Sequence, residues 1–202
     1  KLYIDQKANG KIITNIYTSK NSKGAQLFFI LKDKKTNNII HKSKLITITN
    51  PENYTQIIDS VKNIKSWNPE FPHLYEFTCY LIKNNDTLHI FKQNIGFRNI
   101  EIRPRDGIYL NGTKIKFKGI NRHDFWPQSG RTLNNEICLN DALLIKEMNM
   151  NAVRCSHYPP DERFINACDS LGIMVLDELA GWHDAYSTEI GINLVKEMID
   201  AH

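Results

Sequence analysis

The chain has 202 residues, of which 41% are hydrophobic, 24% charged and 10% aromatic, with a net charge of +4. This composition excludes disorder, collagen and coiled coil, and supplies enough apolar side chains for one or two cores. The longest apolar runs, at 27–31 and 173–176, fall far short of the roughly 18 to 20 residues a membrane-spanning helix needs, so no span is expected. The opening Lys1-Leu2-Tyr3-Ile4-Asp5 lacks the pattern of a secretory signal. The compartment therefore stays open between periplasmic or secreted and cytoplasmic.

Charge divides the chain. Residues 1–100 carry 15 Lys and Arg against 7 Asp and Glu, and the remainder has the opposite excess. The lysines lie singly among polar residues without the Arg-aromatic interleaving that stacks bases, so no nucleic-acid partner is expected. Cys79, Cys138, Cys155 and Cys168 form no Cys-x-x-Cys pair and read as buried thiols.

Up to about residue 102, β-branched and aromatic runs recur at 11–17, 25–31, 39–45, 54–61, 74–82 and 88–102, separated by Asn, Lys, Asp, Ser and Gly clusters. Short strands with regular punctuation predict an immunoglobulin-like sandwich over 1–103. Between two of them, Trp67-Asn68-Pro69-Glu70-Phe71-Pro72 must cross a sheet edge or corner, because proline cannot donate to a ladder. Beyond Arg103 the pattern changes. Asn111-Gly112 between apolar residues predicts a hairpin, since both central residues of its turn need positive φ. A strand ending near Asn121, a helix over 139–149, a strand over 152–156, a helix over 160–171, a strand over 173–177 and a helix over 189–201 follow. Asn140-Asp141 is taken as the first helix cap, with Leu143, Leu144 and Met148 as its apolar positions. Pro159-Pro160-Asp161-Glu162 opens the second helix and Gly172 closes it. The alternation predicts a parallel α/β layer over 104–202, about three β/α units of an eightfold barrel that needs about 250 residues when complete.

Chemistry-bearing side chains collect at the carboxyl ends of these three strands, where α/β sheets and barrels place ligands. The first runs into Asn121-Arg122-His123-Asp124, the second contains Arg154 and runs into His157, and the third into Asp177-Glu178. Such a set can bind a hydroxylated ligand, hold a metal or move protons.

Five ordered blocks carry a resemblance: Gly96-Phe97-Arg98-Asn99-Ile100-Glu101 with Leu110-Asn111-Gly112, Lys118-Gly119-Ile120-Asn121-Arg122-His123-Asp124, Asn151-Ala152-Val153-Arg154-Cys155-Ser156-His157-Tyr158-Pro159, Cys168-Asp169-Ser170-Leu171-Gly172-Ile173, and Val175-Leu176-Asp177-Glu178. The chain resembles glycoside hydrolase family 2 on the β-galactosidase side, in its immunoglobulin-like domain and the first part of its catalytic β/α barrel. The resemblance implies a retaining glycosidase for β-galactosides or related β-glycosides, a reaction that uses two carboxyl groups about 5–5.5 Å apart. In that family both are glutamates on barrel strands four and seven, and neither matching position is reached by His202. The chain by itself is therefore expected to be inactive.

Residue by residue, the resemblance makes His123 and His157 sugar-hydroxyl ligands and Arg154 the cation beside the nucleophile, with Asn121 in the substrate site. Arg122, Asp124, Asp177 and Glu178 become supporting groups. Where some family members carry magnesium ligands after strand three, this chain reads Leu179-Ala180-Gly181-Trp182-His183-Asp184-Ala185, so no metal and no cofactor are expected. A metal-dependent hydrolase using His123, Asp124, His157 and Asp177 is the rival enzyme, and a non-catalytic interaction module the rival outside catalysis. An uncovered sheet edge would favour self-association, with disorder toward 190–202.

Overall fold

The computed structural model describes residues 1–181 and 186–201, in two compact units, 1–115 and 116–202. The first unit is an immunoglobulin-like sandwich. One sheet pairs β1 (Leu2–Gln6), β2 (Lys11–Ile16) and β6 (Thr55–Ser60) in the order β1-β2-β6. The other has the order β4-β3-β7-β8, built from β4 (Ile39–Lys42), β3 (Gln26–Asp33), β7 (Tyr75–Lys83) and β8 (Asp86–Ile95), with β5 (Ile46–Thr47) also paired to β3. Strict alternation in β3 puts Leu27, Phe29 and Leu31 inside, against Phe77, Ile12 and Phe97. Each such buried side chain contributes about 1.5–3 kcal/mol.

The expected run at 88–102 divides: β8 ends at Ile95, and β9 (Ile100–Arg103) joins β10 (Gly107–Leu110) and β11 (Thr113–Ile115) in a separate antiparallel sheet. Asn111 and Gly112 take φ of 50° and 82° in the hairpin turn, as their sequence required. Trp67 is buried, and its backbone N–H donates to Phe97 O at 2.9 Å.

In the second unit β12 (Gly119–Arg122), β13 (Ala152–Cys155) and β14 (Met174–Leu176) run parallel in that order. Helices α1 (Asn135–Glu147) and α2 (Glu162–Leu171) form the crossovers and α3 (Thr188–Ala201) follows. This is the opening of a β/α barrel. Gly119 is required where it stands, because a Cβ there would lie 2.2 Å from Ala152 O on the neighbouring strand. Gly172 ends α2 with φ 76°.

Helix α1 departs from expectation. It starts at Asn135, capped by Asn134, whose side chain accepts from the Ile137 N–H at 2.9 Å. Its buried face is Cys138, Ala142 and Ile145, while Leu143, Leu144 and Met148 are exposed. Two of these three inward residues are small, so the larger leucines are the poorer guide to the helix face. Asn140 and Asp141 are interior helix residues. Helix α2, by contrast, starts later than expected, at Glu162, capped by Asp161, which accepts from the Arg163 N–H at 2.9 Å. Helix α3 agrees with the helix expected over 189–201 rather than with disorder, the other expectation for that end. Among the described residues no helix is long and apolar enough to cross a membrane.

All four cysteines are free and buried, and burial pushes the thiols of Cys79 and Cys155 up to about 12. The folded chain near pH 8 is expected to leave Ellman's reagent unreacted, all four thiols titrating only in guanidinium chloride. A fast thiol in the folded chain would contradict this burial.

Candidate functional site

Each parallel strand of the second unit delivers polar groups at its carboxyl end, and the pleat sorts them. Asn121 lies opposite Arg154 in the ladder, and Arg122 opposite Cys155. Because successive residues face opposite sides of a sheet, Asn121 and Arg154 line an open cavity of about 520 Å³ together with Phe117, Met174 and Leu176. Arg122 turns the other way and is buried against the helices, its guanidinium 3.7 Å from the Phe164 ring centroid in α2.

Beyond the strand ends the two histidines meet. The His123 and His157 rings are 5.5 Å apart in an edge-to-face arrangement, and His123 is 6.1 Å from the Tyr158 ring. Neither imidazole lines the cavity that Asn121 and Arg154 share. They stand past the last paired residues of β12 and β13. Arg154 Nη2 donates to Glu178 Oε1 at 2.6 Å, and His157 Nδ1 lies 3.3 Å from the same oxygen. The Arg154 hydrogen bond holds the Glu178 carboxyl below its ordinary value; partial burial opposes this and His157 reinforces it. Asp177 Oδ1 accepts the Glu178 N–H at 2.8 Å. Arg154 thus pairs with Glu178, at the end of the neighbouring strand.

Behind this row lies a buried polar cluster. Arg122 Nε donates to Asp141 Oδ2 of α1 at 2.8 Å, and Arg122 Nη1 pairs with Asp124 Oδ1. The other oxygen of Asp124 accepts the backbone N–H of Asp161, the α2 cap residue, at 3.2 Å. Burial alone would pull the Arg122 guanidinium down, but Asp124 and Asp141 outweigh it and hold it above its ordinary value. Two carboxylates around one guanidinium leave an excess negative charge, which the positive amino end of α2 offsets. Asp124 therefore faces Arg122 and the helix end, away from the role of a metal ligand given it by the rival enzyme. Among the described residues no three His, Cys, Asp or Glu side chains gather as a metal site. Trp182 and His183, in the stretch where some family members carry magnesium ligands, lie outside the described residues.

Asp141, Tyr158 and Asp161 did not stand out as site residues in the sequence. In the sequence Asp141 reads as a helix cap and Tyr158 stands only within the 151–159 block; the fold brings them behind the histidines.

A sandwich followed by parallel β/α units, with His, Arg and Glu gathered past the strand ends, is the layout of an enzyme of the β/α-barrel class. Residues 2–98 match glycosyl hydrolases family 2, and residues 100–200 match the family's TIM barrel domain. The chain belongs to glycosyl hydrolase family 2. It is 44% identical over 116 residues to a β-galactosidase of Lactobacillus delbrueckii subsp. bulgaricus, covering 57% of this chain and 11% of that protein. It is 31% identical over 198 residues to a β-galactosidase of Thermoanaerobacter pseudethanolicus, covering 95% of this chain and 24% of the relative. A solved family 2 member from Bacteroides cellulosilyticus superposes with a TM-score of 0.78 at 25% identity, over 97% of this chain and 27% of that one. The chain thus spans a quarter or less of the length of these two curated relatives.

Proposed function

We propose that the protein carrying this chain is a retaining glycosidase that cleaves β-galactosides or related β-glycosides. The observation that supports this most is the approach of His123 to His157 beside the Arg154–Glu178 pair, on a chain of this family. Imidazoles donate and accept hydrogen bonds at one site, which suits sugar hydroxyls. In this reading His123, His157 and Asn121 bind the sugar. Arg154 presents a fixed cation that keeps a reacting carboxylate ionised and oriented. Glu178 holds Arg154 and His157, Asp177 steadies Glu178, and Arg122 and Asp124 brace the loop. The nucleophile and acid/base are glutamates outside residues 1–202, so the chain alone does not turn over.

Hydrolysis of a nitrophenyl β-galactoside by the protein carrying the chain, with the released sugar followed by NMR, is expected to yield the β-anomer first. His157→Ala is expected to lower kcat/KM by about 10- to 100-fold. First release of the α-anomer, or activity indifferent to both histidines, would sink the proposal. Turnover by residues 1–202 alone would refute the placement of both glutamates elsewhere.

A further inference from the structure

The two histidines are held by what flanks them, and the flanking residues are bonded to each other. Tyr158 directly follows His157, and its hydroxyl reaches across to the backbone of Asp124, which directly follows His123. That hydroxyl accepts the Asp124 N–H at 3.1 Å and donates to the Asp124 carbonyl at 3.3 Å. On the other side of His123, Arg122 is anchored by Asp141 of α1, and Arg122 pairs with the Asp124 side chain. Asp124 is in turn bonded to the start of α2. The Tyr158 ring is backed by the Arg131 guanidinium, 4.4 Å from its centroid. His123 therefore sits between two residues that are both buried and polar-bonded, and His157 sits beside a residue tied to one of them.

We propose that Tyr158 and Asp141 are positioning residues, which set the separation and orientation of His123 and His157 through the Asp124 backbone and the Arg122–Asp124 pair. The charge balance of the cluster favours this role over a purely stabilising one. A buried ion network contributes little net stability compared with apolar residues of the same volume, but it fixes geometry because each partner must be met at a set distance and angle. An apolar contact between strand ends could slide, whereas a tyrosine hydroxyl bonded to both the N–H and the C=O of one residue cannot. The inference rests on the glycosidase reading for its ligand, the sugar, and on coordinates alone for the clamp.

The test has two arms. In the 202-residue chain, the imidazole Cε1–H signals of His123 and His157 and the contact between their rings are followed by NMR, with His41 and His73 of the sandwich as internal references. Tyr158→Phe removes only the hydroxyl; Asp141→Asn removes the charge that anchors Arg122. Both are expected to move the His123 and His157 signals and weaken the ring-to-ring contact, leaving His41 and His73 in place. Because Asp141→Asn also weakens a buried ion pair, the milder Tyr158→Phe keeps this arm decisive, and unmoved His123 and His157 signals in it would overturn the proposal.

In the protein carrying the chain, Tyr158→Phe is expected to lower kcat/KM on a β-galactoside by about 10- to 100-fold. It should cause a clearly smaller loss when His123 is already alanine, since residues acting partly through one group are not additive. An equal loss in both backgrounds would mark Tyr158 as structural only and overturn the proposal. A wild type inactive on every β-glycoside would instead defeat the glycosidase reading, while the NMR arm would still decide whether the clamp exists.

Discussion

Arg122→Met is expected to destabilise the 116–202 unit by about 3–5 kcal/mol, the range for removing one partner of a buried ion pair. Methionine can fill the space over Phe164, where the guanidinium now stacks 3.7 Å from the ring centroid, so little of the loss comes from a cavity. The loss comes from Asp124. With Arg122 gone, its buried carboxylate keeps only the Asp161 N–H, and Asp141 loses its partner on β12. All three α-helices among the described residues lie in this unit, so far-ultraviolet circular dichroism of the α-helical signal reports its unfolding directly. Adding Asp124→Asn to Arg122→Met is expected to recover part of the lost stability, because it removes the stranded charge while keeping an acceptor for the Asp161 N–H. A helical transition unmoved by Arg122→Met, or a double variant less stable than the single, would refute the view that the charge is what the cluster compensates.

The same cluster marks where sequence reasoning stops. The strands of the second unit were legible because their apolar runs are bounded by Gly, Asn and Pro, and Gly172 with its positive φ ended α2 where its sequence said it should. The strand ends were legible too, since parallel β/α units put polar residues there by construction. What hid was the inward face of α1. Cys138 and Ala142 are poor hydrophobic markers beside Leu143, Leu144 and Met148, so the helix was assigned the wrong apolar face and too late a start. Once Asp141 was placed at a cap, its partnership with Arg122, 19 residues away in the chain, could not be inferred. Tyr158 was hidden for a different reason: its hydroxyl acts on a backbone 34 residues distant, a contact with no local sequence pattern. In the sandwich, the β-branched and aromatic runs marked β2, β3, β4, β6, β7 and β8, whereas β1, 5 residues with a single exposed position, lies outside those runs.

Arg154→Ala is expected to cause the largest loss of activity in the protein carrying this chain, lowering kcat/KM on a β-galactoside by roughly 10²–10³-fold, as removal of one preorganised charged donor does in other active sites. Arg154→Lys should fall between wild type and alanine, because an ammonium keeps the charge but not the planar fork that meets Glu178. The pH dependence follows from the partner. The carboxyl of Glu178 is held below its ordinary 4.5 in the folded chain, chiefly by Arg154. A carboxylate with a depressed folded pKa contributes stability in full above its unfolded value and loses it as pH falls through the lower folded value. The Arg154–Glu178 contact should therefore persist somewhat below pH 4.5 and open only in more acid solution, taking the orientation of His157 with it. Arg154→Ala removes that contact and should let the Glu178 carboxyl titrate closer to its ordinary range, visible in the carboxyl-carbon NMR signal of Glu178. Wild-type kcat/KM in Arg154→Ala, or a Glu178 carboxyl transition unmoved in that variant, would mean that the guanidinium is held at the cavity for packing rather than for charge.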